Sequence, residues 1–209
     1  MKILHADFFT SVPVGGQIPD NLGPTIALVG RSNVGKSSLI NALTGRKIAR
    51  AGAKPGTTRL INIYSLRLSW TSQKKPIPMT LVDLPGYGFA RGGKKTQLEF
   101  STMTEEFFNE LSQFSTDEKP KTSSWLSGII LVLDGRHPGL EIDLTAYEWL
   151  AGKNFSTIIV TTKNDRMTRN QLCKANNGHE LALERPVIVS SSRSGLGIGK
   201  IWTSIKRLI

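Results

Sequence analysis

Apolar and polar positions along the chain fall into two rhythms. Residues 25–29 are apolar and partly β-branched, and 129–133 form an unbroken apolar run. Both suit strands of a parallel sheet covered on each face. Residues 61–68 alternate apolar and polar, as a strand with one exposed face does, and 77–82 read as a second strand after a turn at 73–76. These two are expected to form an antiparallel hairpin. Shorter strands are predicted at 157–161 and 186–189. Between them the period lengthens to that of helices. One runs from the glycine-rich loop to about Thr44, with Leu39, Ile40 and Leu43 on one face. Another spans 96–114, with Leu98, Met103, Phe107 and Leu111 as its inward stripe. Further helices are predicted at 140–152, 168–183 and 198–208. Strands alternating with helices imply a three-layer α/β domain with right-handed crossovers. The expected sheet is mostly parallel and six-stranded, with one antiparallel strand. Residues 1–24 hold Pro13, Gly15, Gly16, Pro19, Gly23 and Pro24, and read as an N-terminal extension with at most a short strand near 3–9. Residues 25–209 then form the domain.

Composition adds two points. The 209 residues suffice for one ordinary core, and 39% hydrophobic with 21% charged residues is a globular balance. No run reaches the length of a membrane span, no signal-peptide pattern opens the chain, and Cys173 is the single cysteine, so a reducing cytoplasm is expected. The charge says more. Lys+Arg of 27 against Asp+Glu of 16 leaves +11. That excess points to a polyanionic partner, with nucleic acid favoured over membrane because no lipid anchor is visible.

The chemistry starts at Gly30-Arg31-Ser32-Asn33-Val34-Gly35-Lys36-Ser37, followed by Ser38. This is G-x-x-x-x-G-K-[ST] between a strand and a helix. Its backbone N–H groups cradle phosphates, Lys36 reaches the β- and γ-phosphates, and Ser37 offers a hydroxyl to Mg²⁺. Three further motifs follow predicted strands. Asp83-Leu84-Pro85-Gly86 is D-x-x-G, whose carboxylate can hold Mg²⁺ and whose Gly86 N–H can meet a γ-phosphate. Thr162-Lys163-Asn164-Asp165 resembles the N/T-K-x-D guanine reader. Asp165 can accept from guanine N1–H and N2–H₂, donors that adenine lacks there, so an unpaired carboxylate would penalise ATP. The Lys163 stem can lie along the base or the phosphate loop. Threonine in place of the commoner asparagine is expected to weaken one supporting contact. In Ser190-Ser191-Ser192 a backbone N–H could meet guanine O6. Between the phosphate loop and D-x-x-G, Pro55-Gly56-Thr57-Thr58-Arg59 offers a threonine to complete Mg²⁺ and sense the γ-phosphate. Thr58 is the first choice, Thr57 its competitor.

In wording as well as order these blocks resemble the EngB (YihA/YsxC) family of translation-factor-related GTPases. The match is carried by 30–41, by Asp83-Leu84-Pro85-Gly86-Tyr87-Gly88-Phe89-Ala90 and by Leu133-Asp134-Gly135-Arg136-His137-Pro138, within a resemblance covering about 22–208. The resemblance implies a Ras-like P-loop GTPase domain that uses GTP, GDP and Mg²⁺. It implies a role in assembling the large ribosomal subunit, and in normal cell division and septation. Thr57-Thr58-Arg59 departs from the family's single threonine followed by glutamine, which leaves the sensing residue open between the two threonines.

A glutamine after D-x-x-G positions water in Ras-like enzymes, and Tyr87 stands there instead, so slow intrinsic hydrolysis is expected. Catalysis is then assigned to Lys36, Thr58 and Asn33, the last matching the position that coordinates K⁺ in potassium-activated relatives. Arg46, Lys47, Arg50, Lys54 and Arg59 in the first switch loop, and Arg91, Lys94 and Lys95 in the second, are expected to present charge to ribosomal RNA or the pre-ribosome. His137 and the four tryptophans read as structural, and the protein as a monomer. Two other classes remain: a P-loop small-molecule kinase, which would need an acceptor site, and an RNA-binding assembly chaperone holding GTP only as a structural ligand.

Overall fold

The computed structural model describes residues 1–19, 22–50, 60–70, 75–87 and 126–209. Its strands are β1 (Lys2–Pro13), β2 (Thr25–Gly30), β3 (Leu60–Ser69), β4 (Ile77–Asp83), β5 (Leu126–Asp134), β6 (Thr157–Thr162) and β7 (Ile188–Val189). The described helices are α1 (Lys36–Thr44), α2 (Glu141–Gly152), α3 (Arg169–Leu183) and α4 (Ile198–Lys206). The helix expected at 96–114 and the threonines at 57 and 58 lie outside the described residues.

All seven strands join one sheet in the order β1-β3-β4-β2-β5-β6-β7. β3 runs antiparallel to both neighbours, and the remaining pairings are parallel. The expected hairpin of β3 and β4 is present, and so is the single antiparallel strand. The strand count is corrected from six to seven, because β1 lies along the whole of β3 from Lys2↔Ser69 to Pro13↔Leu60. Its alternation is hidden by register shifts between Ile3 and His5 and between Phe8 and Thr10. Each bulge adds a residue and reverses the in/out order, so Phe8 and Phe9 are both exposed while Ala6 is buried. At the other edge β7 is only two residues long; it begins after Pro186, which has no N–H to give a ladder.

Every residue of β2 is buried, as its unbroken apolar run requires. On one face Leu39, Ile40 and Leu43 of α1 and Ile201, Trp202 and Ile205 of α4 share a core with Ile26, Leu28, Leu66, Leu81, Ile130 and Val132. On the other, Ala146 and Leu150 of α2 and Leu183 of α3 join Ala27, Val29, Ile129, Leu131 and Leu133. Each such Leu or Ile contributes about 1.5–3 kcal/mol of burial free energy, which fixes helices to sheet as three layers. Trp70 and Trp202 are buried edge-to-face, and Trp202 Nε1 donates to Leu43 O at 3.1 Å, so both pack the core as expected. Among the described residues no helix is long and apolar enough to cross a membrane.

The consequence for function is positional. The four sequence motifs within the described residues follow the C-terminal ends of β2, β4, β6 and β7, along one edge of the sheet where such folds bind ligands.

Candidate nucleotide site

At the end of β2 a Cβ on Gly30 would collide with the carbonyl of Val132 in β5, so only glycine lets the chain leave the sheet there. Asn33 (φ 60°) and Gly35 (φ 117°) then turn through left-handed conformations, which asparagine tolerates and glycine adopts freely. The loop delivers the chain into α1 with Gly35 as N-cap and no side chain capping it. The first-turn N–H groups of α1 are thus left for an anion, with the helix dipole behind them.

Lys36 is the first residue of α1 and is only 8% exposed. Its Nζ donates to Gly30 O at 3.0 Å and lies 3.4 Å from Arg31 O, so the ammonium curls back over the loop it belongs to. Burial lowers its pKa, against the opposing pull of Asp83. Ser37 Oγ donates to Asp83 Oδ2 at 3.0 Å. The other Asp83 oxygen, Oδ1, is buried and meets no hydrogen-bond donor. Burial pushes the Asp83 carboxyl up in pKa, with Lys36 and Ser37 only partly offsetting it. An orphaned carboxylate oxygen beside a serine hydroxyl is a hard-oxygen donor set of the kind Mg²⁺ takes, so the residues present fit that ion.

Beyond Asp83 the chain folds onto the phosphate loop. A Cβ on Gly86 would fall 2.6 Å from Ser32 N and Cα, which makes a side chain there impossible without moving the loop. Ser32 N donates to Tyr87 O at 3.0 Å and Ser32 Oγ to Gly86 O at 3.2 Å. Tyr87 is buried, and its hydroxyl donates to Asp143 Oδ1 of α2 at 2.9 Å. Arg31 Nε donates to the same oxygen at 3.1 Å. The Tyr87 hydroxyl is therefore engaged by Asp143, and burial together with Asp143 raises its pKa. Asp143 is a site-bordering residue that the sequence did not flag. An acid in a helix's first turn is ordinary, so it carried no signal.

The residues expected to read the base gather at the ends of β6 and β7. Thr162 Oγ1 lies 2.7 Å from Val34 O in the phosphate loop and 3.0 Å from Leu133 O, with one proton to serve them. Its hydroxyl thus ties the end of β6 to the phosphate loop. Lys163 sits at φ 60°, and its Nζ donates to Asp134 Oδ2 at 2.9 Å, not to the loop. Asn164 is buried and donates to Thr161 O at 2.9 Å and Ser190 O at 2.7 Å, stitching β6 to the segment after β7. Asp165 is exposed. Its Oδ1 accepts from Ser191 Oγ at 2.7 Å, and that hydrogen bond holds its pKa below the usual carboxylate value. Ser191 Oγ accepts in turn from the N–H groups of Arg193 and Ser194. The three serines thereby separate. Ser190 is buried against Thr161 O, Ser191 orients Asp165, and Ser192 stands partly exposed at the rim.

The family model described as 50S ribosome-binding GTPase matches residues 25–163. The probable GTP-binding protein EngB of Oceanobacillus iheyensis is 35% identical over 214 aligned positions, covering 100% of this chain and 99% of the relative. That of Desulforamulus reducens is 36% identical, covering 100% and 95%. This chain belongs to the EngB family of P-loop GTPases. A solved structure of a probable GTP-binding protein EngB superposes with a TM-score of 0.55 at 24% identity, over 88% of this chain and 98% of the other. The elongation factor SelB of Methanococcus maripaludis gives 0.57 at 16% identity over 91% of this chain and 34% of its own. At those identities the two structures speak for the fold. GTP and GDP binding and GTPase activity come with the family.

The described structure therefore brings Gly30 to Ser38, Asp83 and Gly86 into one cradle, with Thr162 tied to it and Asp165 and the serines along the same edge. Gly56, Thr57 and Thr58 lie outside the described residues. Asp134 and Arg136 went without a role in the sequence. The available signal was a carboxylate closing an apolar central strand, the same placement that marks Asp83.

Proposed function

We propose that this protein is a slow GTP-hydrolysing switch of the cytoplasm that acts in assembly of the large ribosomal subunit, and so supports normal division and septation. The observation that carries the chemistry is the division of labour along the sheet edge. Asp83 has a buried oxygen in want of a cation, while Asp165 is oriented by Ser191 and open to solvent. Ser37 and Asp83 would hold Mg²⁺, completed by Thr58, and the ion would neutralise charge on the β- and γ-phosphate oxygens. Lys36 and the loop N–H groups bind the phosphates and stabilise charge as it develops on the leaving oxygen. Asp165 reads guanine N1 and N2, and a backbone N–H of Ser190-Ser191-Ser192 would meet O6. The tyrosine that follows D-x-x-G is committed to Asp143 and cannot orient a water, which favours a long-lived GTP state. Asn33, exposed at a left-handed turn, would contribute to a K⁺ site; equal turnover in potassium and sodium buffers would sink that assignment.

The partner is the large subunit or its precursor. Arg46, Lys47 and Arg50, all exposed, open the first basic loop, and the net charge of +11 suits ribosomal RNA. The test is co-sedimentation of the chain with large-subunit precursors, GTP analogue against GDP, over a salt series. Salt-sensitive binding favoured by the analogue is expected. Equal binding in both states would overturn the switch reading and favour a chaperone with GTP as structural ligand. For the site itself, Asp165→Asn should trade guanine for xanthine nucleotides, and an unchanged GTP preference would refute the base assignment.

A further inference from the structure

Asp134 closes β5, and its side chain is only 7% exposed. Arg136, two residues on, grips it through Nε (2.9 Å to Oδ1), a guanidinium nitrogen (2.7 Å to Oδ2) and its own backbone N–H (3.1 Å to Oδ1). Lys163 adds its ammonium at 2.9 Å to Oδ2. Burial alone would raise this carboxyl, but the hydrogen bonds from Arg136 and Lys163 hold it well below the usual carboxylate range. The backbone around the group is equally constrained. Gly135 N donates to Thr162 O at 2.9 Å, a Cβ on Gly135 would collide with Asn164, and Lys163 is held left-handed at φ 60°.

We propose that Asp134 is a positioning residue for the guanine site, acting through Lys163. This rests on the guanine reading of Thr162-Lys163-Asn164-Asp165 made above. The argument is one of preorganisation. A lysine side chain is among the most costly to order, and binding a base against a free one must meet that cost at the moment of binding. Here the stem is strung between two fixed ends, its backbone at the tip of β6 and its ammonium on the tip of β5. Lys163 opens the short turn that carries Asp165, so with both its ends held its four methylenes are fixed in the same segment. Arg136 has a different part. With its own N–H on the same carboxylate it shapes the 134–137 turn, which a charge-free residue could also do. Asp134 therefore sets how long a nucleotide stays, while Asp165 sets which base it carries.

The test is release of a fluorescent (mant) GDP from the full-length chain in Mg²⁺ buffer, measured for wild type, Asp134→Asn, Lys163→Met, the double variant and Arg136→Gln. Asp134→Asn and Lys163→Met are each expected to speed release about tenfold, and the double variant no more than Lys163→Met alone, because both changes remove one interaction. Arg136→Gln should release GDP within about twofold of wild type, and Asp134→Asn should keep the preference for GDP over ADP. Unchanged release in Asp134→Asn would overturn the proposal. So would a double variant whose effect is the product of the two singles, since Asp134 would then act through the fold. Should Asp134→Asn not fold, Asp134→Glu keeps the charge one methylene further out and is read through the same cycle. Wild-type chain that binds ADP as well as GDP would instead refute the guanine reading beneath.

Discussion

Replacing Thr162 with valine keeps the side chain's shape and removes its hydroxyl. The site is 2% exposed, and no water can take the hydroxyl's place without opening the contact between β6 and the phosphate loop. The hydroxyl's single proton lies between Val34 O at 2.7 Å and Leu133 O at 3.0 Å, so the shorter bond, to the loop, is the one chiefly lost. Leaving a buried carbonyl without its donor costs about 1–3 kcal/mol. At this chain length each kcal/mol lowers the melting temperature by about 2–4 °C. Val34 adjoins Gly35, whose left-handed turn leads the loop into α1 and whose Cβ position is 3.5 Å from Thr162 Oγ1. Part of the loss must therefore appear as looser nucleotide binding.

Thermal melting and GDP release, measured together, separate the two shares. Thr162→Val should melt several degrees lower and release GDP roughly five- to twentyfold faster, which corresponds to about 1–1.8 kcal/mol. Thr162→Ser keeps the hydroxyl and should hold release near wild type. Thr162→Asn, with an amide to offer the same carbonyl, should do so as well. If Thr162→Val melts lower yet releases GDP at the wild-type rate, the bond holds the fold and not the loop. Unchanged values in both measurements would refute the reasoning outright.

Three further outcomes are expected. Tyr87→Phe should cost about 1–3 kcal/mol of stability, the loss of a buried hydrogen bond to a carboxylate, yet leave GTP turnover within about threefold, because the hydroxyl faces Asp143 and not the phosphates; a hundredfold fall in turnover would place Tyr87 in the chemistry after all. His179 is 2% exposed and its pKa is lowered, first by burial, with the carbonyls of Asp134 and Gly135 and the charges of Asp143 and Asp134 opposing. A depressed histidine contributes stability that is present above its unfolded pKa of about 6.5 and is lost as pH falls through it, at up to about 1.4 kcal/mol per pH unit. His179→Gln should flatten the stability profile just below about pH 6.5, and an identical slope in the variant would count against this. Gly86→Ala should displace the loop at Ser32 and weaken GTP analogue binding at least tenfold while GDP binding changes less; equal losses for both would show a general collapse of the cradle.

What could be read from the sequence, and what could not, follows the range of the interactions involved. β2 and β5 were legible because burial on both faces leaves an unbroken apolar run. Gly30, Lys36, Ser37, Asp83 and Asp165 stand out in the sequence because phosphate, metal and base would each demand a particular group at a short, fixed spacing. β1 was legible only as a short strand near 3–9 and not as a full strand of the sheet, since two bulges scramble its alternation and its partner β3 lies some fifty residues away. The adequacy of Thr162 could not be judged either, because the carbonyl it reaches is 128 residues distant. Tyr87 was visible as a departure from a pattern, but Asp143, which explains where its hydroxyl goes, looks like any acid opening a helix.

Three carboxylates stand at or just beyond strand ends along the nucleotide edge, and their surroundings differ in a way that decides what each can do. Asp134 is met by two cations and a backbone N–H, so its charge is already answered and it has little left to give a ligand. Asp165 is met by the Ser191 hydroxyl and its own backbone N–H, with the charges of Arg193 and Arg166 acting on it from further off, and it is left exposed. Asp83 is buried with one oxygen on Ser37 and the other on nothing, so desolvation raises its pKa despite Lys36 nearby. Only the last is a poor place for an anion until a cation arrives. On the reading proposed above, a single residue type would fill the roles of strut, reader and metal ligand, told apart by the donors that answer each carboxylate. Removing the unanswered charge of Asp83 while keeping Ser37 in place, as Asp83→Asn would, is therefore expected to abolish Mg²⁺-dependent tightening of GTP analogue binding, whereas Mg²⁺ dependence that survives would place the metal elsewhere.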